Sequence, residues 1–212
     1  MQTPVLKLVA VAVLSAGFGL TAVAQTTGTT QGRTAAGEKS QSLSSADRKF
    51  METAAQHGMA EVAMGRLAAD KAQSPEVKQF GERMVQDHTK ANQQLMQIAQ
   101  QKGMQLPKET DSKHKRMMES MTKMSGDKFD REYMEQMVED HKKDIGLFRE
   151  ASKDAKDPDV KSFATTNLPI LEEHHRMAQS IHAKVKEMER SAGSSSGSRP
   201  AAGSSPAGSS TR

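Results

Sequence analysis

Two stretches of the chain repeat a pattern with chemistry in it: "MVQDH" at residues 84–88 and "MVEDH" at residues 137–141. In each, an aspartate stands directly before a histidine, inside a helical rhythm of apolar residues. Two further polar residues occupy similar settings, Glu61 in "GMAEVAMG" and His174 in "LEEHHRMA". His57 lies one helical turn before Glu61, and side chains four residues apart share a helix face, so both can point at one ion. Imidazole and carboxylate together suit Zn, Fe, Cu or Mn. The candidate metal ligands are therefore Glu61, His88, His141, His174 and His57, with Asp87, Asp140 and Asp144 beside them. The cofactor they point to is a divalent transition-metal ion whose identity the residues leave open. The alternative is a ligand-free core in which the same groups satisfy one another by hydrogen bonds.

The elements that position these residues are helices. Ser44 with Asp47 three residues on, Ser74-Pro75-Glu76 and Asp157-Pro158-Asp159 are helix starts: a capping side chain, then proline or an acid in the first turn. Gly103 and Pro107 close one segment, and Ser125-Gly126-Asp127 opens another. The pattern predicts four long helices over 46–72, 75–102, 127–155 and 158–188, with a connection at 103–126 that holds a short helix of its own. Apolar residues recur in threes and fours on each, the spacing of a buried stripe. Each stripe carries one strongly polar residue: Glu61, His88, His141 or His174. Each of these lies roughly 13–16 residues into its helix, or about 20 Å along an axis of about 40 Å. They fall near mid-height whichever way the helices run, so they can converge.

The chain also repeats itself on a larger scale. "SPEVKQF" at 74–80 aligns with "DPDVKSF" at 157–163, and the same offset places Phe50 on Tyr133, Ala54 on Met137 and Glu61 on Asp144. Two helical hairpins joined by a long crossover make an all-α, ferritin-like four-helix bundle. The crossover has to cover about 40 Å, which some 24 residues do comfortably. The second and third long helices are then expected to be parallel neighbours.

Three segments, "MVQDH", "FDREYMEQMVEDH" and "FATTNLPILEEHH", following "AAQHGMAEVAMGRLAADKAQSPEVKQFGERM", resemble a large bacterial family of exported ferritin-like proteins. That family is catalogued as domain of unknown function 4142 and often labelled outer membrane protein. The resemblance spans about residues 46–186. It implies a ferritin-like fold in the cell envelope, with Glu61, Asp87, His88, Asp140, His141 and His174 at the recurring polar positions. His57 departs from the family, where small residues are more usual. The family brings no assigned activity.

Other motifs bound the function. Di-iron bundles take a Glu from each of two helices and Glu-x-x-His from the other two. Here Val85 replaces the Glu that should precede His88, and Glu172-x-x-His175 has the right spacing but sits off the stripe that carries His174. An oxidative di-iron centre is not expected. The crossover places His114, Met117, Met118, Met121 and Met124 close together. Thioethers bind Cu(I), but methionine also fills irregular gaps in cores, and packing is the reading taken. Of 212 residues, 30 are Lys or Arg and 26 Asp or Glu, a near balance interleaved as on solvated helices. No basic patch with stacking aromatics is present, so nucleic acid is not an expected partner. No Ser-His-Asp set, phosphate loop or cysteine nucleophile is visible, and no enzymatic activity is expected.

The ends complete the expectations. Residues 1–24 carry a lysine, an apolar run and Ala22-Val23-Ala24, the form of a secretory signal peptide, with a retained membrane anchor as the rival. Residues 25–43 read as a disordered linker, 44–190 as the bundle and 191–212 as a disordered Ser/Gly/Pro tail. The mature chain is expected to lack a transmembrane helix and to sit in the periplasm or against the outer membrane. The functional expectation is an exported, non-enzymatic bundle that binds metal and protects against stress. The alternative is a structural or interaction module whose polar core binds nothing.

Overall fold

Five helices order the chain: α1 (Ser45–Lys71), α2 (Pro75–Gln101), α3 (Ser112–Thr122), α4 (Gly126–Asp154) and α5 (Pro158–Ser195). The computed structural model describes residues 42–195, and no strand occurs among them. The leader at 1–24, most of the linker and most of the tail lie outside the described residues. Two boundaries differ from the sequence reading. Leu43, assigned to the linker, is buried in the core. The last helix runs to Ser195 rather than 188, since each further residue of a nucleated helix adds a backbone bond. No described helix is long and apolar enough to cross a membrane.

The caps act as their residue types require. The Ser44 hydroxyl accepts from the Asp47 amide at 3.0 Å, and the Asp157 carboxylate accepts from the amides of Asp159 and Val160. Asp111 starts α3 by accepting from Lys113 and His114. After α2, Gly103 takes φ +63°, a left-handed conformation that suits glycine. Its amide returns to the Gln100 carbonyl, and that of Met104 to Ala99, closing a Schellman motif.

α1 packs on α2 and α4, and α5 packs on α4 and α2, so α2 and α4 face each other across the diagonal. They run parallel, but they are not the neighbours that the sequence reading made them. Two long helices joined by a crossover along the bundle can take adjacent or diagonal corners, and the chain takes the diagonal. α3 lies over the groove between α1 and α4.

Two buried aspartates fix this up-down-down-up arrangement. Asp130, near the start of α4, accepts from the amides of Gln73 at 3.0 Å and Ser74 at 2.6 Å, in the α1–α2 loop. Asp47, in the first turn of α1, accepts from those of Lys156 at 3.2 Å and Asp157 at 3.1 Å, in the α4–α5 loop. The offset of the internal repeat, 157 − 74 = 83, carries Asp47 onto Asp130 and the one loop onto the other. Each hairpin thus clasps the turn of its twin, and two otherwise orphaned amides per turn find a charged acceptor.

The apolar core falls into two halves. One holds Phe50, Leu95, Phe148 and Phe163 near the start of α1; the other holds Phe80, Phe129, Tyr133 and Met137 near its end. On every long helix the polar stripe residue lies between the two halves: Glu61, His88, His141 and His174. The core is interrupted at mid-height by a polar layer.

Candidate metal centre

His88 from α2, His141 from α4 and His174 from α5 meet in that layer. Their ring centroids are 5.6, 5.4 and 5.4 Å apart, close to an equilateral triangle. Each offers one ring nitrogen to a set in which all atoms lie within 4.8 Å of one another. His141 and His174 are fully buried, and His88 is 7% exposed.

The tautomers follow from what the other nitrogens touch. His141 Nδ1 lies 2.9 Å from the Met137 carbonyl, which can only accept, so Nδ1 donates and Nε2 keeps its lone pair. His174 Nε2 lies 2.9 Å from Asp87 Oδ2 and donates to it, which leaves Nδ1 bare. Three of the other four nitrogens, His88 Nε2, His141 Nε2 and His174 Nδ1, are buried with no hydrogen-bond partner among the protein's groups. A neutral network that closed on itself would pair them, because an unpaired buried nitrogen costs about 1–3 kcal/mol.

Burial also sets their charge. It pushes His88 down to about 3, helped by the nearby His174 and opposed by Asp87. Burial, then His88 and His174, brings His141 to about 3 as well. His174 is lowered by burial, with Asp87 pulling the other way. All three rings are neutral at physiological pH, the state in which imidazole binds a metal. Asp87 stays ionised: burial raises it, but Arg83 and His174 hold it below the usual carboxylate range. Arg83 donates to Asp87 one turn along α2, so Arg83, Asp87 and His174 form a chain from surface to centre.

Glu61 does not join the three nitrogens as a fourth ligand. Its Oε1 is 3.9 Å from His141 Nδ1, on the ring edge that already serves Met137. Burial, reinforced by Asp144 and Asp140, raises its carboxyl well above the ordinary range, so the contact is between two neutral groups. Beside the trio lies a cavity of about 30 Å³, whose lining includes Asp87, His88, Asn92, Asp144, Asn167 and His174. At ~10–15 Å³ per water it admits about two or three water-sized ligands and nothing larger.

Two residues grouped with this site by sequence belong elsewhere. His57 turns to the α3–α4 side, where its Nδ1 lies 2.6 Å from Asp144 Oδ1 and its ring packs 5.1 Å from that of His114. Sharing a face with Glu61 did not bring it to the bundle axis, because α1 faces the crossover as well as the core. Asp140 also points outward, with Oδ2 3.5 Å from His114 Nε2, because consecutive residues diverge by about 100° around a helix. The contact with Asp140, and that with Asp111, hold His114 above the ordinary imidazole range against burial. The sequence reading grouped His114 with the crossover methionines and missed this pairing. Those methionines do the opposite work: Met121 is buried in the apolar core, and Met117, Met118 and Met124 pack against it. The di-iron spacing is not assembled either, since Glu172 is drawn to Arg149 at 2.8 Å and Glu173 is exposed.

The chain belongs to the family described as Domain of unknown function (DUF4142), whose family model matches residues 32–181. No curated protein sequence matches it. Solved structures of similar fold include a DUF305 fragment from Deinococcus radiodurans, at TM-score 0.60 and 13% identity, covering 67% of this chain and 98% of that one. A DUF305 protein from Streptomyces coelicolor is similar at TM-score 0.57 and 14% identity, over 66% of this chain and 94% of its own. CopM in its Cu(II)-bound form is similar at TM-score 0.57 and 17% identity, over 65% and 96%.

Proposed function

We propose that this protein is an exported metal-binding bundle of the bacterial cell envelope, holding one divalent transition-metal ion between His88, His141 and His174. The observation that carries the reading is the convergence of three buried histidines, each with a ring nitrogen that has no hydrogen-bond partner, two of the rings held by an acceptor at their other nitrogen. Metal-binding histidines characteristically donate their other N–H to a carboxylate or backbone carbonyl, as His174 does to Asp87 and His141 to Met137. Three imidazoles suit Zn²⁺ or Cu²⁺, with the adjoining cavity supplying room for water at a fourth position. CopM, which shares the fold, has a Cu(II)-bound form, and Cu²⁺ is therefore the first probe.

Binding rather than turnover is the reading we take, supported by the small space beside the trio. A cavity of about 30 Å³ holds an ion and its water but no organic substrate. Export is supported by the leader-like residues 1–24, and the role fitting these features is sequestration of metal outside the cytoplasm under metal stress. Mature protein purified without an affinity tag, loaded with Cu²⁺ or Zn²⁺ and dialysed, should keep metal by elemental analysis, and His141→Leu should lose one equivalent. Equal metal content in the two would refute the site. The second reading, a polar layer that only fixes helix register, draws on the Asp87–His174 and His141–Met137 bonds. It expects His141→Leu to change stability and leave metal content untouched.

A further inference from the structure

We propose that His57, Asp111 and His114 form a second divalent-cation site, separate from the trio, where the crossover helix lies on α1 and α4. Each offers one ligand atom, and the three atoms lie within 4.8 Å of one another. Two imidazoles and one carboxylate are a common ligand set for Zn²⁺ and other divalent transition metals, with positions left for water.

The surroundings are those of a binding site. His57 Nδ1 lies 2.6 Å from Asp144 Oδ1 and donates to it, which leaves Nε2 with its lone pair. His114 Nε2 faces Asp140 Oδ2 at 3.5 Å, while Nδ1 faces Asp111. Each histidine thus has a carboxylate behind one nitrogen, the arrangement that fixes ring orientation in metal sites; on His114 the other nitrogen, Nδ1, hydrogen-bonds Asp111, and an ion would take the place of the proton they share. Asp140 and Asp144 are one turn apart on α4, so a single helix face supports both rings. Asp140 is 4% exposed, and its Oδ2 has no hydrogen-bond partner. Asp111 divides its labour: Oδ1 caps α3 through the amides of Lys113 and His114, and Oδ2 is turned to the His114 ring. Lys113 and Lys143, each 3.8 Å from Asp140, offset part of the negative charge around the site.

The site differs from the trio in access and in consequence. The side chains of His57 and Asp111 are 25% and 29% exposed, against 1% for His141 and His174, so an ion enters without opening the bundle. Its ligands come from α1 and from the start of α3, so an ion there staples the crossover to the bundle. The trio's ligands come from α2, α4 and α5 instead.

The test uses tag-free mature protein, calorimetric titration with Zn²⁺, and variants that report on one site each. Wild type should bind two equivalents, His141→Leu one and His57→Ala one. Zn²⁺ should slow trypsin cleavage in the crossover, at Lys113, Lys115 or Arg116, in wild type and in His141→Leu by at least about tenfold, but not in His57→Ala or His114→Ala. If His141→Leu fails to fold, His88→Gln takes its place. One equivalent that His57→Ala abolishes and His141→Leu keeps would support this site while removing the trio. Unchanged stoichiometry in His57→Ala, or equal trypsin protection in His114→Ala, would overturn it.

Discussion

Metal binding at the trio should release few protons, even in mild acid. At pH 5.5 an ordinary imidazole of pKa about 6.5 is about 90% protonated, so three of them would give up about 2.7 protons to bind an ion. His88 and His141 stand at about 3 because they are buried, and at pH 5.5 they carry less than about 0.01 proton each. His174 is lowered by the same cause, so the trio should release less than about one proton. A neighbouring group able to add to this is Glu61, whose carboxyl burial raises well above the ordinary range. Glu61→Gln removes that contribution without changing shape, and His114→Ala removes the exposed site. Calorimetry of Zn²⁺ binding to this double variant, in buffers of different ionisation enthalpy, counts the protons directly. The apparent affinity should weaken by at most about tenfold between pH 7.5 and 5.5, where three ordinary histidines would lose about a thousandfold. Release of more than two protons, or a thousandfold loss, would show that the rings are not held neutral by burial and would undo the reasoning.

Other outcomes follow from the same geometry. In chelator-treated protein, His88 and His141 are neutral when folded and charged when unfolded below pH 6.5, so stability is intact above that pH. It should fall toward pH 3 by about 1.4 kcal/mol per pH unit for each histidine, with Glu61 offsetting about one of them only above about pH 4.5, where its carboxyl ionises on unfolding, and urea titrations should show Glu61→Gln steepening the fall in that upper window. Asp130→Asn and Asp47→Asn should each cost about 1–3 kcal/mol, and the double variant about their sum, since the two clasps sit at opposite ends of the bundle. Gly81→Ala would set a Cβ 2.7 Å from the Gly65 carbonyl oxygen and 2.9 Å from Ala68 Cβ. Backbone on the other side cannot yield cheaply, and thermal denaturation should report a loss of about 1–3 kcal/mol.

The helices were readable because their signals are local. Ser74-Pro75, Asp157-Pro158 and Gly103 mark ends through conformations a few residues long, and the structure places α1, α2 and α4 within one residue of the sequence reading. The polar layer was readable for a related reason: position along a helix converts to height at a fixed rise, whatever the topology. What sits beside a stripe residue was not. His57 and Asp140 follow the helical rhythm, but whether a side chain beside the stripe meets core, crossover or water depends on which helix lies there. The diagonal placement of α2 and α4 and the landing of α3 over α1 are long-range facts with no local mark. Asp47 and Asp130 fall between the two cases. The repeat makes them equivalent, yet nothing in either turn shows that each reaches the other hairpin's loop.

Metal binding at the trio requires that three imidazoles share one ion in the middle of the bundle. X-ray absorption at the zinc edge, on tag-free His114→Ala protein carrying one equivalent of Zn²⁺, reads that coordination directly. Three imidazole nitrogens at about 2.0–2.1 Å, lost in His141→Leu, are the predicted result. A spectrum dominated by water oxygens, or one that His141→Leu leaves unchanged, would contradict it.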